Sequence, residues 1–131
     1  MDISGLKPAE RIVEILNPKD KTPLGINVML VSLDDERVKK IRRRIQDDRI
    51  RLESRGKSFK SEDVEENTIS LLFACVTGWE WGKDPSGEQN LWKGLKPDFN
   101  LKTFKEIITD LPWFGKQLEE AISDEESFFQ T

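Results

Sequence analysis

Apolar and polar positions along this chain fall into blocks with different periods. The stretch "RIVEIL" (11–16) is short and rich in β-branched residues, which predicts a strand. "NPKDKTPLG" (17–25) begins with Asn-Pro and ends on Gly25, which predicts a turn. In "INVMLVSL" (26–33), Ile26, Val28 and Leu30 alternate with Asn27, Met29 and Val31, the period of a second strand. Together they read as an N-terminal β-hairpin over 11–33, after a loose lead-in over 1–10. A hairpin alone is marginal in water, so it must pack on helices or on another copy of the chain.

Beyond residue 33 the period becomes helical. Residues 34–56 carry Val38, Ile41, Ile45 and Leu52 on one stripe, with Ser32 as the expected cap and Gly56 as the stop. Residues 61–79 place Val64, Thr68, Leu71, Leu72, Cys75 and Trp79 on one face, widened by Phe73 and Val76, which predicts a long central helix capped by Ser61. Residues 80–98, with Gly82, Pro85, Gly87, Gly94 and Pro97, read as a long loop, of the kind that is functional or mobile. A third helix is expected at 100–111, with Asn100 as cap, Phe99 facing Phe104 as a hydrophobic staple, and Leu101, Phe104, Ile108 and Leu111 as its apolar stripe. Pro112 interrupts it, and 113–123 carries Phe114, Leu118, Ala121 and Ile122 on one face. The expected fold is α+β and predominantly α-helical. An N-terminal hairpin (11–33) precedes about four helices (34–131), packed as one small domain over 1–131.

Composition narrows the chemistry. A chain of 131 residues can bury a real core without disulfides or a metal. There is no histidine, so the commonest general base and transition-metal ligand is missing. The single cysteine, Cys75, cannot form an internal disulfide; in an apolar run it reads as a small buried hydrophobe, consistent with a reducing compartment. The opening "MDISGLKPAERIVEIL" lacks a signal-peptide core, and the run "LLFACV" is far too short to span a bilayer. A soluble cytoplasmic protein with no membrane partner is expected. Carboxylates are abundant, but they cluster at helix starts and exposed faces, and "DPSGEQN" lacks the spacing of an EF-hand loop. No nucleophile has a base nearby in sequence, and no phosphate-binding loop is present. No enzymatic activity, no cofactor and no metal are expected.

Charge is segregated. The net charge is −4, yet residues 37–60 hold eleven Lys/Arg and three Asp/Glu, or +8, which leaves −12 for the rest. This basic helix could be a solvated face, a surface for an acidic protein, or a phosphate binder. It has no interleaved aromatics, and the acidic remainder of the chain opposes nucleic acid. Trp79 is expected to seal the central helix against the core. Trp81 would start the loop, either as its anchor or as a contact surface. Phe128 and Phe129 either fold back onto the core or meet a partner.

The order of these segments resembles the tail assembly chaperones of long-tailed, siphovirus-type bacteriophages. The resemblance rests on "VEILNPKDKTPLGINVMLVSLDDERVK", on a basic helix ending in "RGKSFKSEDVEE", on "ISLLFACVTGWEW", and on "ITDLPWFGKQLEEAISDEESFF". It implies a virus-encoded protein of the infected bacterial cytoplasm, absent from the mature virion. Such a protein binds the tape measure protein in multiple copies and keeps it soluble and extended while the tail tube polymerises. A longer frameshifted product would recruit the tail tube protein. The residues expected to meet the tape measure or another copy are Arg42, Arg43, Arg44, Trp81, Trp113, Glu119, Glu120, Phe128 and Phe129. The arginines would face the acidic C-terminal segment of the next copy in an open-ended or spiral multimer. The competing readings are a nucleic-acid-associated regulator using residues 37–60, and a structural tail component retained in the virion.

Overall fold

A computed structural model describes residues 1–3 and 10–124 of the chain. Strands β1 (Arg11–Leu16), β2 (Pro23–Leu30) and β3 (Val76–Trp81) form an antiparallel sheet in the order β1-β2-β3. Four helices complete the fold: α1 (Glu36–Glu53), α2 (Ser61–Ala74), α3 (Leu101–Asp110) and α4 (Pro112–Ser123). The chain is α+β, with a small sheet near its N-terminus and helices filling most of the rest.

The hairpin forms where alternation predicts, but its second strand runs three residues earlier at both ends than the expected 26–33. The turn closes at Thr22, whose carbonyl accepts from Asn17 N–H at 2.8 Å. Pro23 can open the strand because a first position can do without the missing N–H. Gly25 therefore lies inside β2 rather than in the turn. Its φ is +85°, and a Cβ there would come within 2.0 Å of the Lys83 carbonyl oxygen, so only glycine fits.

The third strand is the main departure from the periodicity. The helix expected over 61–79 ends at Ala74, and Val76–Trp81 turns back to pair with β2. Val28 faces Trp79 across the pair, and Ile26 faces Trp81. Cys75 keeps its predicted burial at the helix end. Trp79 and Trp81, however, reach the core from a strand, not from a helix and a loop. The segment "VTGWEW" is β-branched and aromatic, the composition a strand prefers. Pairing also satisfies the backbone groups along β2 that a two-stranded hairpin leaves open.

One core ties the elements together. It joins the inward row of the sheet (Val13, Ile15, Ile26, Val28, Leu30) to Leu72 of α2, Phe104 and Ile107 of α3, and Phe114, Leu118 and Ile122 of α4. The apolar face predicted for α4 is the observed one. On α3 Phe104 is buried as expected, but Ile107 fills the core while Leu101 of the predicted stripe stays 47% exposed. Asn100 caps α3 by accepting from Thr103 N–H at 2.9 Å. Phe99 and Phe104 meet edge to face at 6.4 Å, as the staple requires. The α1 cap differs from expectation. Asp35, not Ser32, accepts from Arg37 N–H at 3.0 Å, while Ser32 Oγ accepts from Asp34 N–H in the preceding turn. Lys60 occupies the N-cap position of α2 in place of Ser61, and its N–H donates to the Asp63 carboxylate at 3.0 Å.

The stretch after β3 is a loop held by polar side chains. Asn90 Nδ2 donates to the carbonyls of Leu24 and Gly82 at 2.6 and 2.8 Å. Asp84 Oδ1 accepts from the Ser86 hydroxyl at 2.6 Å and from the Glu88 and Ser86 N–H groups, and these bonds, the hydroxyl's first, hold its carboxyl below the usual range. Lys93 and Gly94, both at positive φ, make a tight turn between Trp92 and Leu95.

Candidate protein-interaction surface

Helix α1 is 18 residues long, and of these only Val38 is buried. Ile41, Ile45 and Leu52 are half-buried along the seam with α2, and Ile50 is 57% exposed. The stripe read from the sequence is thus real but narrow. The seam with α2 hides it only in part, and the remaining perimeter is charged.

Arg42, Arg43 and Arg44 all lie on the exposed side of α1. Arg43 reaches Glu36 at 3.5 Å. Arg42 and Arg44 have no carboxylate within ion-pair distance among the described residues. Arg37 pairs with Asp35 at 3.2 Å while staying 57% exposed, and Arg51 pairs with Asp48. Near the end of the helix the Arg49 guanidinium sits 5.6 Å from the Phe59 ring centroid. Exposed pairs of this kind contribute little to stability, about 0–1 kcal/mol each. The cations on α1 are therefore available to a partner at little cost to the fold.

Trp81 does not belong to this surface. It is 4% exposed, stacks near Phe114 at 6.3 Å and belongs to the core. Its Nε1 is buried with no acceptor among the described residues. The expected contact role is corrected on that ground, because a side chain sealed in the core cannot meet a partner. Trp79 is the more accessible of the two, and its Nε1 donates to the Pro97 carbonyl at 3.1 Å, which ties the loop to β3. Trp113 is half-buried against the core, with its ring 6.0 Å from Phe114. Glu119 and Glu120 are exposed on α4. No ion pair joins them to the α1 arginines among the described residues. Phe128 and Phe129 lie outside the described residues.

Sequence reasoning missed a groove between α1, α2 and the start of α3. It holds about 380 Å³ and is lined by Ile41, Phe73, Ala74 and Leu101, with Arg37 and Arg44 beside them. Phe73 was legible as a residue that widens the α2 face. Leu101 was expected on the apolar stripe of α3, but it is 47% exposed at the first position of that helix and lines this groove. Among the described residues no cluster of acidic or Cys side chains is arranged to hold a metal ion, and no helix is long and apolar enough to cross a membrane. Burial pushes the Cys75 thiol up to about 11, so it is protonated and inert at neutral pH. The chemistry this surface offers is charge and apolar contact.

Compared with protein-family profiles, curated proteins and solved structures, the chain matches none of them.

Proposed function

We propose that this chain is a non-enzymatic tail assembly chaperone. It binds the tape measure protein in multiple copies, in the cytoplasm of an infected bacterium, and keeps that long protein soluble and extended. The observation that carries the proposal is α1: one buried residue, an exposed row of cations, and an apolar groove alongside. A helix so weakly engaged with its own core has its surface to spend on something else. Many copies bound through modest, charge-assisted contacts can coat a long client and still leave when the tube subunits arrive. Multiplicity supplies the strength that a single contact lacks.

The test is co-expression with a phage tape measure protein. The expected result is a soluble complex containing several copies of this chain per client, and the triple variant Arg42→Glu, Arg43→Glu, Arg44→Glu should lose most of it. A client that stays insoluble beside well-folded wild-type chain would overturn the proposal. Tight binding to duplex DNA with a steep salt slope would instead favour the regulator reading, which the same cations keep open.

A further inference from the structure

Two grooves run along opposite faces of α2. One, of about 270 Å³, is lined by Thr68, Leu72 and Cys75 together with Glu119, Ile122 and Ser123 of α4. The other is the groove with Ile41, Phe73 and Leu101, flanked by Arg37 and Arg44. At 100° per residue, positions 68, 72 and 75 lie across the helix from 70, 73 and 74. The grooves also differ in sign: the first has a carboxylate and no cation in its lining, the second has two arginines and no carboxylate.

The sequence that follows α4 has the chemistry the second groove lacks. Residues 125–129 are Glu-Glu-Ser-Phe-Phe, two carboxylates ahead of two phenyl rings. We infer that the groove between α1, α2 and α3 receives segment 125–129 of a second copy of this chain. Its carboxylates meet Arg37 and Arg44, and a phenyl ring covers Ile41, Phe73 and Leu101. The inference rests on the multiple-copy part of the function proposed above.

The occupant comes from another copy because of where α4 ends. Ser123 lines the first groove, so α4 ends across α2 from the cationic one, and segment 125–129 starts from that end. To enter its own cationic groove it would have to pass around α2. Each copy then offers one groove and donates one segment, and the two surfaces are different. Such a contact is heterologous and adds copies without closing on a two-fold axis. Arginine also suits the place, since its planar fork pairs with carboxylates and stacks on aromatic rings.

The experiment is the mass of the full chain in solution, without client, by sedimentation velocity over a range of concentrations and salt. Wild type should grow with concentration and shrink with salt. The double variant Phe128→Ala, Phe129→Ala keeps the groove and loses the rings; Arg44→Glu keeps the segment and spoils the groove. Each alone should be monomeric with unchanged circular dichroism. Mixed in equal amounts, they should form pairs and nothing larger, because one good groove meets one good segment. Leu101→Asp, at an exposed position, serves as a second groove variant should Arg44→Glu misfold. A labelled peptide of residues 125–131 should bind the Phe128→Ala, Phe129→Ala variant, and bind a groove variant at least about tenfold more weakly, the size expected for losing one charge-assisted contact. A wild type that is monomeric throughout, a Phe variant that assembles normally, or a peptide indifferent to Arg44 would each overturn the inference. Co-expression with the tape measure protein separates the two proposals. Client binding lost while assembly persists sinks the function and leaves this contact standing; assembly lost while client binding persists upholds the contact as a copy-to-copy device.

Discussion

Asp35 shows how much one side chain can hold at the start of an exposed helix. Its carboxylate accepts the Arg37 N–H, and that bond, more than the neighbouring guanidinium, holds its pKa below the usual value. Asp35→Ala should cost about 1 kcal/mol in urea unfolding at neutral pH, the ordinary size of a lost N-cap. A carboxyl with a depressed folded pKa stabilises fully above its unfolded value and loses that contribution as pH falls through the folded one. The gap between wild type and Asp35→Ala should therefore close on acidification below about pH 4. Gly25 and Gly56 make a sharper pair. Both have positive φ, but a Cβ at Gly25 strikes the Lys83 carbonyl while one at Gly56 meets open space. Gly56→Ala should cost about 1–2 kcal/mol, the usual left-handed penalty, and Gly25→Ala clearly more, read as the shift in thermal midpoint. Both glycines were visible in the sequence as turn signals. Only the packing of β2 against the loop after β3 distinguishes them.

Elements differ in how tightly they are tied to the core. Strand β2 lies between two partners and contributes Ile26, Val28 and Leu30 to the interior, whereas α1 contributes Val38 alone. Native-state hydrogen exchange should therefore show α1 amides opening well below the global free energy, and β2 amides exchanging only with global unfolding. The chain joins β1 to α4 by a different device. Gln117 donates to the Leu16 carbonyl at 2.9 Å and accepts its N–H at 2.8 Å, so a side-chain amide closes the end of the strand as another strand would. Gln117→Ala leaves both groups open and should lower stability by about 1–3 kcal/mol, seen in the urea midpoint. The helical period was read correctly for α4; on α3 it placed Phe104 but counted the exposed Leu101 and passed over the buried Ile107. It failed after Ala74 because Val76 and Trp79 continue a helical stripe by spacing while their side-chain types and the open backbone of β2 favour a strand.

At the scale of the whole molecule, the segregated charge has a place. The cations from Arg37 to Arg51 sit on α1, whose outer side is exposed among the described residues, and Glu119 and Glu120 sit on α4. The core beneath holds fully buried Phe104 and Phe114, and Phe104→Ala should cost about 3–5 kcal/mol, enough to unfold much of the population if the domain is ordinarily marginal. Charge reversal of Arg42, Arg43 and Arg44, by contrast, should leave the melting temperature within a few degrees of wild type, since all three residues are exposed. A large drop on calorimetry would mean that the arginines support the fold rather than a partner.

By itself, the sequence determined the hairpin, the four helices in order, the apolar face of α4, the burial of Cys75 and the sign of α1. Each is a local consequence of side-chain period, capping or composition, which a short window contains. Tertiary structure decided the rest. It turned residues 76–81 into a strand, because a sheet edge distant in sequence offered them backbone partners. It buried Trp81 and left Trp79 half-open: strand alternation puts both rings on one face, and what packs over each sets its depth. It brought Arg37, Arg44, Phe73 and Leu101 around one groove, because residues on three separate helices become neighbours only when those helices pack.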